Sequence, residues 1–235
     1  MKRALLDRLL AARAAKRPVA QVTDLQTGLA TLVFEDAVHG DFEPARELLA
    51  EARRRLKADQ SGMVESGGGR AFVHVHNPPL RLIVVGAVHI AQPLVSMAVV
   101  AGYDVTVVDP RRAFASDERF PGVAVSTGWP DEALTALNPD IRTAVVTLTH
   151  DPKLDDPALI VAVRSPAFYV GALGSRKTHA RRVERLTAAG LAPAEIGRIH
   201  GPVGLPIEAV SPAEIAVSIL AQITQVLRAG AKAHG

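Results

Sequence analysis

Leu5, Leu6, Leu9 and Leu10 recur at helical spacing within residues 4–17, and Pro18 stops the run, which predicts an opening helix. Two apolar stretches follow, residues 19–25 and 29–34, and the Gln26-Thr27-Gly28 turn between them predicts a β-hairpin. Residues 44–57 return to helical periodicity, with Pro44 near the first turn, where a helix makes no use of the N–H. Residues 64–65 and 71–76 flank Gly67-Gly68-Gly69 and predict a shorter hairpin. His74 and His76 share one face of its second strand, but two such ligands do not make a metal site. Asn77-Pro78-Pro79 then stiffens the chain and cannot continue a sheet. A boundary there divides the chain into residues 1–79 and 80–235.

Beyond Pro79 the texture changes. Short β-rich apolar runs at 81–85, 105–108, 123–126, 144–148 and 168–171 alternate with helical stretches at 89–101, 131–137 and 157–164. Helices at 176–189 and 212–228 follow the last run. Strands alternating with helices argue a parallel sheet covered on both faces. The expected fold is α/β, a Rossmann-like parallel sheet with helices on both faces, behind a small N-terminal α+β domain.

Composition narrows the chemistry. The chain has 235 residues and no cysteine, which excludes a disulfide framework, a thiolate zinc site, an iron–sulfur cluster and a cysteine nucleophile. A net charge of +3 announces no nucleic-acid partner. One local excess stands out: five Lys and Arg against one acid between Gly174 and Arg185. The uncharged run 82–103 is long enough to span a membrane, yet it contains Gly86, His89, Gln92 and Pro93, and reads better as strand, turn and helix. Asp7, Arg8 and Arg13 interrupt any apolar core of a signal peptide, so a cytoplasmic protein is expected.

Four segments carry candidate chemistry. RLIVVGAVHIAQ, residues 81–92, with Asp109 lying 23 residues after Gly86, has the Rossmann layout of strand, glycine turn, helix, strand and terminal acid. The second glycine position of a dinucleotide site is Val88 and the third is Ala91, so side chains stand where a diphosphate would approach. Asp109 is placed either to accept from a ribose hydroxyl or to cap the turn before Pro110. THDPKLDD, residues 149–156, gathers His150, Asp151, Asp155 and Asp156 after a strand. That set suits a divalent cation or a polar ligand. It equally suits a helix start with Asp155 or Asp156 as N-cap and Pro157 in the first turn.

YVGALGSRKTHARR, residues 169–182, places Gly171 and Gly174 after a strand, and Ser175, Arg176, Lys177 and Thr178 open a helix. This is a phosphate cradle in layout. GALGSRKT misses the nucleoside-triphosphate loop because Arg176 replaces a required glycine. IHGPVGLPI, residues 199–207, forms a rigid loop around Gly201 and Gly204, and SPAEIAVSIL, residues 211–220, reads as a capped helix start.

In this order the four segments resemble the C-terminal domain of the xanthine dehydrogenase accessory protein family, the XdhC/CoxI family. GAVHIAQ, VVDPR, LTHDPKLDD, YVGALGSRKTHARR, the Gly-Leu loop and SPAEIAVSIL carry the likeness over residues 80–228. The resemblance implies a chaperone rather than an enzyme. It would bind a molybdopterin-type molybdenum cofactor as cargo, shield it, let a sulfurase act on it, and deliver it to a molybdenum hydroxylase. Xanthine dehydrogenase and aerobic CO dehydrogenase are the typical clients, and a homodimer is expected. Carried over by position, Gly86, Ala87, Val88, His89 and Gln92 would line the crevice. Asp109, Arg111, His150 and Asp151 would join them, with Gly174, Ser175, Arg176, Lys177 and Gly204. The chain departs from the family pattern at Pro206 and Glu208, where an acid and a glycine are usual, and at Gln222, where a glutamate is common. It lacks the family's Ser-Pro-Arg stretch, so on this resemblance that piece is either absent or supplied by a separate small protein. An NAD(P)-dependent oxidoreductase and a nucleotide-sensing Rossmann domain are the competing readings.

Overall fold

A computed structural model of the protein describes residues 2–66 and 69–233. Gly67 and Gly68, in the expected glycine turn, lie outside the described residues. The chain divides into two compact units: Met1–Pro78 with Arg228–Gly235, and Pro79–Leu227.

The first unit runs α1 (Arg3–Ala14), β1 (Val19–Asp24), β2 (Ala30–Val33), β3 (Val38–Gly40), α2 (Arg46–Ala58), β4 (Gly62–Ser66) and β5 (Gly69–His76). Its sheet is antiparallel in the order β3-β2-β1-β5-β4. Strand alternation sorts side chains between two layers. Val19 and Leu32 pack with Leu5 and Leu9 of α1, whereas Ala20, Val22 and Val73 pack with Leu48, Ala52 and Leu56 of α2. Both predicted hairpins form. Strand β3 was not foreseen, because Val38-His39-Gly40 holds a single apolar residue and becomes a strand only by pairing with β2. The His74 and His76 rings lie 4.1 Å apart.

The second unit runs β6 (Leu80–Val85), α3 (Ala91–Val100), β7 (Tyr103–Val108), β8 (Ala124–Ser126), α4 (Pro130–Leu137) and β9 (Thr143–Thr147). It continues with α5 (Pro152–Arg164), β10 (Tyr169–Ala172), α6 (Arg176–Ala188), α7 (Pro193–Ile196), β11 (Ile199–His200) and α8 (Pro212–Ala233), the last helix belonging to this unit as far as Leu227. All strand pairs are parallel, in the order β11-β10-β9-β6-β7-β8. Counted from β6 this is 3-2-1-4-5-6, the strand order of dinucleotide-binding folds, with its switch point between β6 and β9.

The apolar strands bury both faces. Leu82 and Val84 pack with Leu94 of α3 and Ile219 of α8, and Ile83 and Val85 pack with Leu134 of α4 and Leu159 of α5. Each fully buried aliphatic side chain contributes about 1.5–3 kcal/mol. Helix α5 begins at Pro152, five residues before the expected start, and Pro157 sits inside it. Pro157 only withholds an N–H from Lys153, whose residue is exposed, so the helix tolerates it. Helix α3 starts at Ala91 because residues 88–90 form a turn. Among the described residues no helix is long and apolar enough to cross a membrane.

Candidate functional site

Parallel strands release their following loops at one edge of a sheet. The residues after β6, β7, β9 and β10 therefore gather at the carboxyl edge, around the switch point. Gly86 has φ +106, and a Cβ there would lie 2.5 Å from Thr149 Cγ2 and 3.2 Å from Thr149 N. The loops that diverge from β6 and β9 thus touch at this position, and only glycine fits.

The next residue, Ala87, is buried, and its N–H donates to Asp109 Oδ2 at 2.8 Å. Asp109 Oδ1 accepts from Arg111 N and Nε, both at 2.9 Å, and Oδ2 from Arg111 Nη2 at 2.7 Å. Asp109 is fully buried. Burial pushes its pKa up, but the Arg111 guanidinium and the two backbone N–H groups outweigh that and hold it below the usual carboxylate range. Four donors occupy its four lone-pair sites, so the ribose-hydroxyl role is corrected: Asp109 ties the glycine turn to Arg111.

Arg119, which the sequence did not single out, completes this corner. Its Nη1 donates to the Ala87 and Phe114 carbonyls at 2.7 and 2.8 Å, and its Nη2 reaches Gln92 Oε1 at 3.4 Å. Phe114 carries the Arg111 guanidinium 4.7 Å from its ring centroid. The loop after β7 is thereby pinned over the first turn. The only sequence signal was one arginine between Phe114 and Phe120. Val88 packs against the core, Gln92 is half-buried, and His89 is exposed.

After β9, Asp151 caps α5 by accepting from Lys153 N at 2.9 Å, so the cap is Asp151, not Asp155 or Asp156. Asp155 is buried and accepts from Thr149 Oγ1 at 2.6 Å and from His150 N at 3.2 Å. Burial raises its pKa, opposed by Thr149 and the Arg182 charge. Asp156 instead pairs with Arg185, whose Nε and Nη2 donate at 2.5 and 3.0 Å. The three carboxylates diverge, and among the described residues no group of three or more His, Cys, Asp and Glu is placed to hold a metal. His150 takes the left-handed conformation, φ +63, and is exposed.

After β10, Gly174 has φ +146, and a Cβ on it would press on Thr178 at 3.0 Å. The Ser175 hydroxyl caps α6 by accepting from Thr178 N at 3.1 Å. Arg176 and Lys177 are exposed, and as the first two helical residues their N–H groups have no intrahelical acceptor. This helix end carries partial positive charge beside two cationic side chains. Gly204, after β11, has φ +100 and is locked to α8, its N–H donating to Gln222 Oε1 at 2.9 Å. Tyr169 donates to the same oxygen at 2.6 Å. The site residues expected from sequence thus fall into two groups. His89, Arg111, His150, Asp151 and the Gly174–Lys177 turn present polar groups at the edge, whereas Gly86, Ala87, Val88, Asp109, Gln92 and Gly204 are engaged internally.

The comparisons agree with this architecture. Residues 82–223 match the family described as XdhC Rossmann domain. The chain is 33% identical over 199 residues to YqeB, an uncharacterized protein of Escherichia coli K12, covering 83% of this chain and 36% of that protein. It is 33% identical over 155 residues to a probable xanthine dehydrogenase subunit of Bacillus subtilis, covering 66% and 45%. The molybdenum cofactor insertion chaperone PaoD of Escherichia coli K12 is 32% identical over 149 residues, covering 63% and 41%. The chain therefore spans less than half the length of these relatives. The crystal structure of a xanthine dehydrogenase from Bacillus halodurans superposes with TM-score 0.77 at 26% identity, over 98% of this chain and 68% of that one. With more than half of its residues matched and the strand order to suit, the chain belongs to the XdhC Rossmann domain family.

Proposed function

We propose that this protein binds a molybdopterin-type molybdenum cofactor as cargo at the carboxyl edge of its parallel sheet and delivers it to a molybdenum hydroxylase. The observation that carries this reading is the asymmetry of the edge. On the β6–β7 side the Ala87 N–H is already given to Asp109, and Val88 stands where a diphosphate would approach. On the β10 side the α6 N-terminus is open, with Arg176 and Lys177 exposed beside Gly174. Such an edge suits one phosphate joined to a polar ring system better than a dinucleotide. The cofactor, when bound, brings that phosphate, a pterin and the redox-active metal. The protein's share is to hold the phosphate at α6 and to keep His150, Asp151 and Arg111 around the rest. The family membership and the chaperone name of one relative support the same reading.

The test is binding to the full chain of molybdenum cofactor released anaerobically from a molybdenum enzyme, followed by fluorescence of the oxidised pterin. A charge-assisted hydrogen bond is worth about 1.5–3 kcal/mol. Replacing both Arg176→Ala and Lys177→Ala should weaken binding about a hundredfold or more with melting unchanged, and the loss should shrink at high salt. Equal affinities for variant and parent at low salt would remove the cradle. Tight binding of NAD(H) with no pterin signal would favour an oxidoreductase instead.

A further inference from the structure

Arg182, on the second turn of α6, is 1% exposed. Its side chain reaches back toward the helix N-terminus, and Nη2 donates to the Leu173 carbonyl at 2.8 Å, one residue before Gly174. The same nitrogen lies 3.6 Å from Asp155 Oδ2, and Asp155 is as deeply buried. Asp155 in turn accepts from Thr149 Oγ1 and from the backbone N–H of His150. One buried guanidinium therefore stands behind both loops that present polar groups at the edge.

This node is a poor stabiliser where it sits. Arg182 Nε and Nη1 are buried without an acceptor, and Thr147 Oγ1, on the same sheet face, is buried without a partner. Burial lowers the pKa of Arg182 and raises that of Asp155, each against the charged form. The other charges facing Arg182, Asp156 and Arg185, are paired with each other. Replacing both members of such a buried pair by apolar side chains is commonly neutral, whereas removing one alone leaves the other charge uncompensated. Within the pair, Asp155 accepts from the N–H of His150, whose backbone is left-handed at φ +63, a region uncommon for residues other than glycine.

We infer that Arg182 is a positioning residue, which through Asp155 and Leu173 keeps the His150 loop and the Gly174 loop in the arrangement that receives the ligand. The inference rests on the proposed reading of this edge as a cofactor site. Its test uses the full chain with Arg182→Met, Arg182→Lys and Asp155→Ala. The measurements are melting, the His150 amide resonance and its hydrogen exchange, and affinity for released molybdenum cofactor. Arg182→Met leaves the Asp155 carboxyl buried without its cation, so it should melt several degrees below the parent, and the other readouts are taken well below that melting point. Its His150 amide should shift and exchange roughly tenfold faster as the local opening becomes easier. Cofactor affinity should fall about tenfold or more, the loss expected for disturbed geometry, and Arg182→Lys should restore most of it. An unchanged His150 amide and parent affinity in Arg182→Met would overturn the inference, as would a loss that only follows melting and that lysine does not mend. If Arg182→Met fails to fold, Asp155→Ala decides on the same readouts. A displaced His150 in a protein whose parent binds no cofactor would sink the cargo reading and leave the positioning role. An undisturbed His150 beside tight parental binding would do the reverse.

Discussion

The Asp109 carboxylate looks from sequence like a ligand group and behaves in the fold like a fastener. It sits at the end of β7 with all its lone pairs given to Ala87 and Arg111. Asp109→Asn places an amide donor among donors, and a hydrogen bond to a charged group is worth about 1.5–3 kcal/mol. Arg111 is 38% exposed on its side chain, so water makes up part of the loss. The expected cost at neutral pH is about 2–3 kcal/mol in chemical denaturation. The folded pKa of Asp109 is lowered, so its contribution is complete above the unfolded carboxylate value and fades as pH falls through the folded one. The gap between parent and variant should begin to narrow only as the pH falls below about 4 and close below the lowered folded value. A gap that stays constant into acid would show that the charge is not what matters.

At the scale of elements, the carboxyl ends of β6 and β9 meet at Gly86 and Thr149. Gly86→Ala would set a methyl 2.5 Å from Thr149 Cγ2 on a backbone at φ +106. Strain of that kind costs about 1–3 kcal/mol, and relief requires the two loops to part. Thermal melting should fall by several degrees, about 2–4 °C for each kcal/mol in a chain of this size. A variant that melts with the parent would mean that the switch point is looser than its geometry indicates. The same junction explains which elements were legible. Strands β6 and β9 are largely apolar along their length because helices cover both faces, whereas β7 carries Asp104 and Thr106 between its buried residues. The two-residue β11 exists only because Ile199 and His200 fall beside Val170 and Gly171 of β10.

At the scale of the molecule, the strand order is that of a dinucleotide-binding fold, yet the first turn is closed by its own side chains. Calorimetric titration with NAD+ and NADH should show no binding at micromolar concentrations, weaker than about −8 kcal/mol. Cofactor binding should weaken with salt although the net charge is only +3, because the cations at Arg176 and Lys177 are local. Micromolar NAD(H) binding would return the protein to the oxidoreductase reading.

The alternation of β-rich runs with helical stretches was enough to reveal the parallel sheet with helices on both faces, since burial on two sides imposes continuous apolar strands. Periodicity and capping residues likewise placed α2 and α6 within two residues and the start of α1 within one, because those signals act within a few neighbouring positions; α1 ends at Ala14, three residues short of the expected end. The glycine at the first turn and the Ser-Arg-Lys start of α6 were readable for the same local reason. Of Asp109 only the cap of the turn before Pro110 was readable, and what Asp155, Arg119 and Arg182 do was not. Each is an ordinary charged residue in one dimension, and at least one of its partners lies on another strand's loop or another helix. Only the parallel order brings Ala87 to Asp109, Leu173 and Asp155 to Arg182, and Thr149 against Gly86. Whether a carboxylate faces a ligand or another part of its own chain depends on contacts distant in sequence, and those arise only when the sheet has formed.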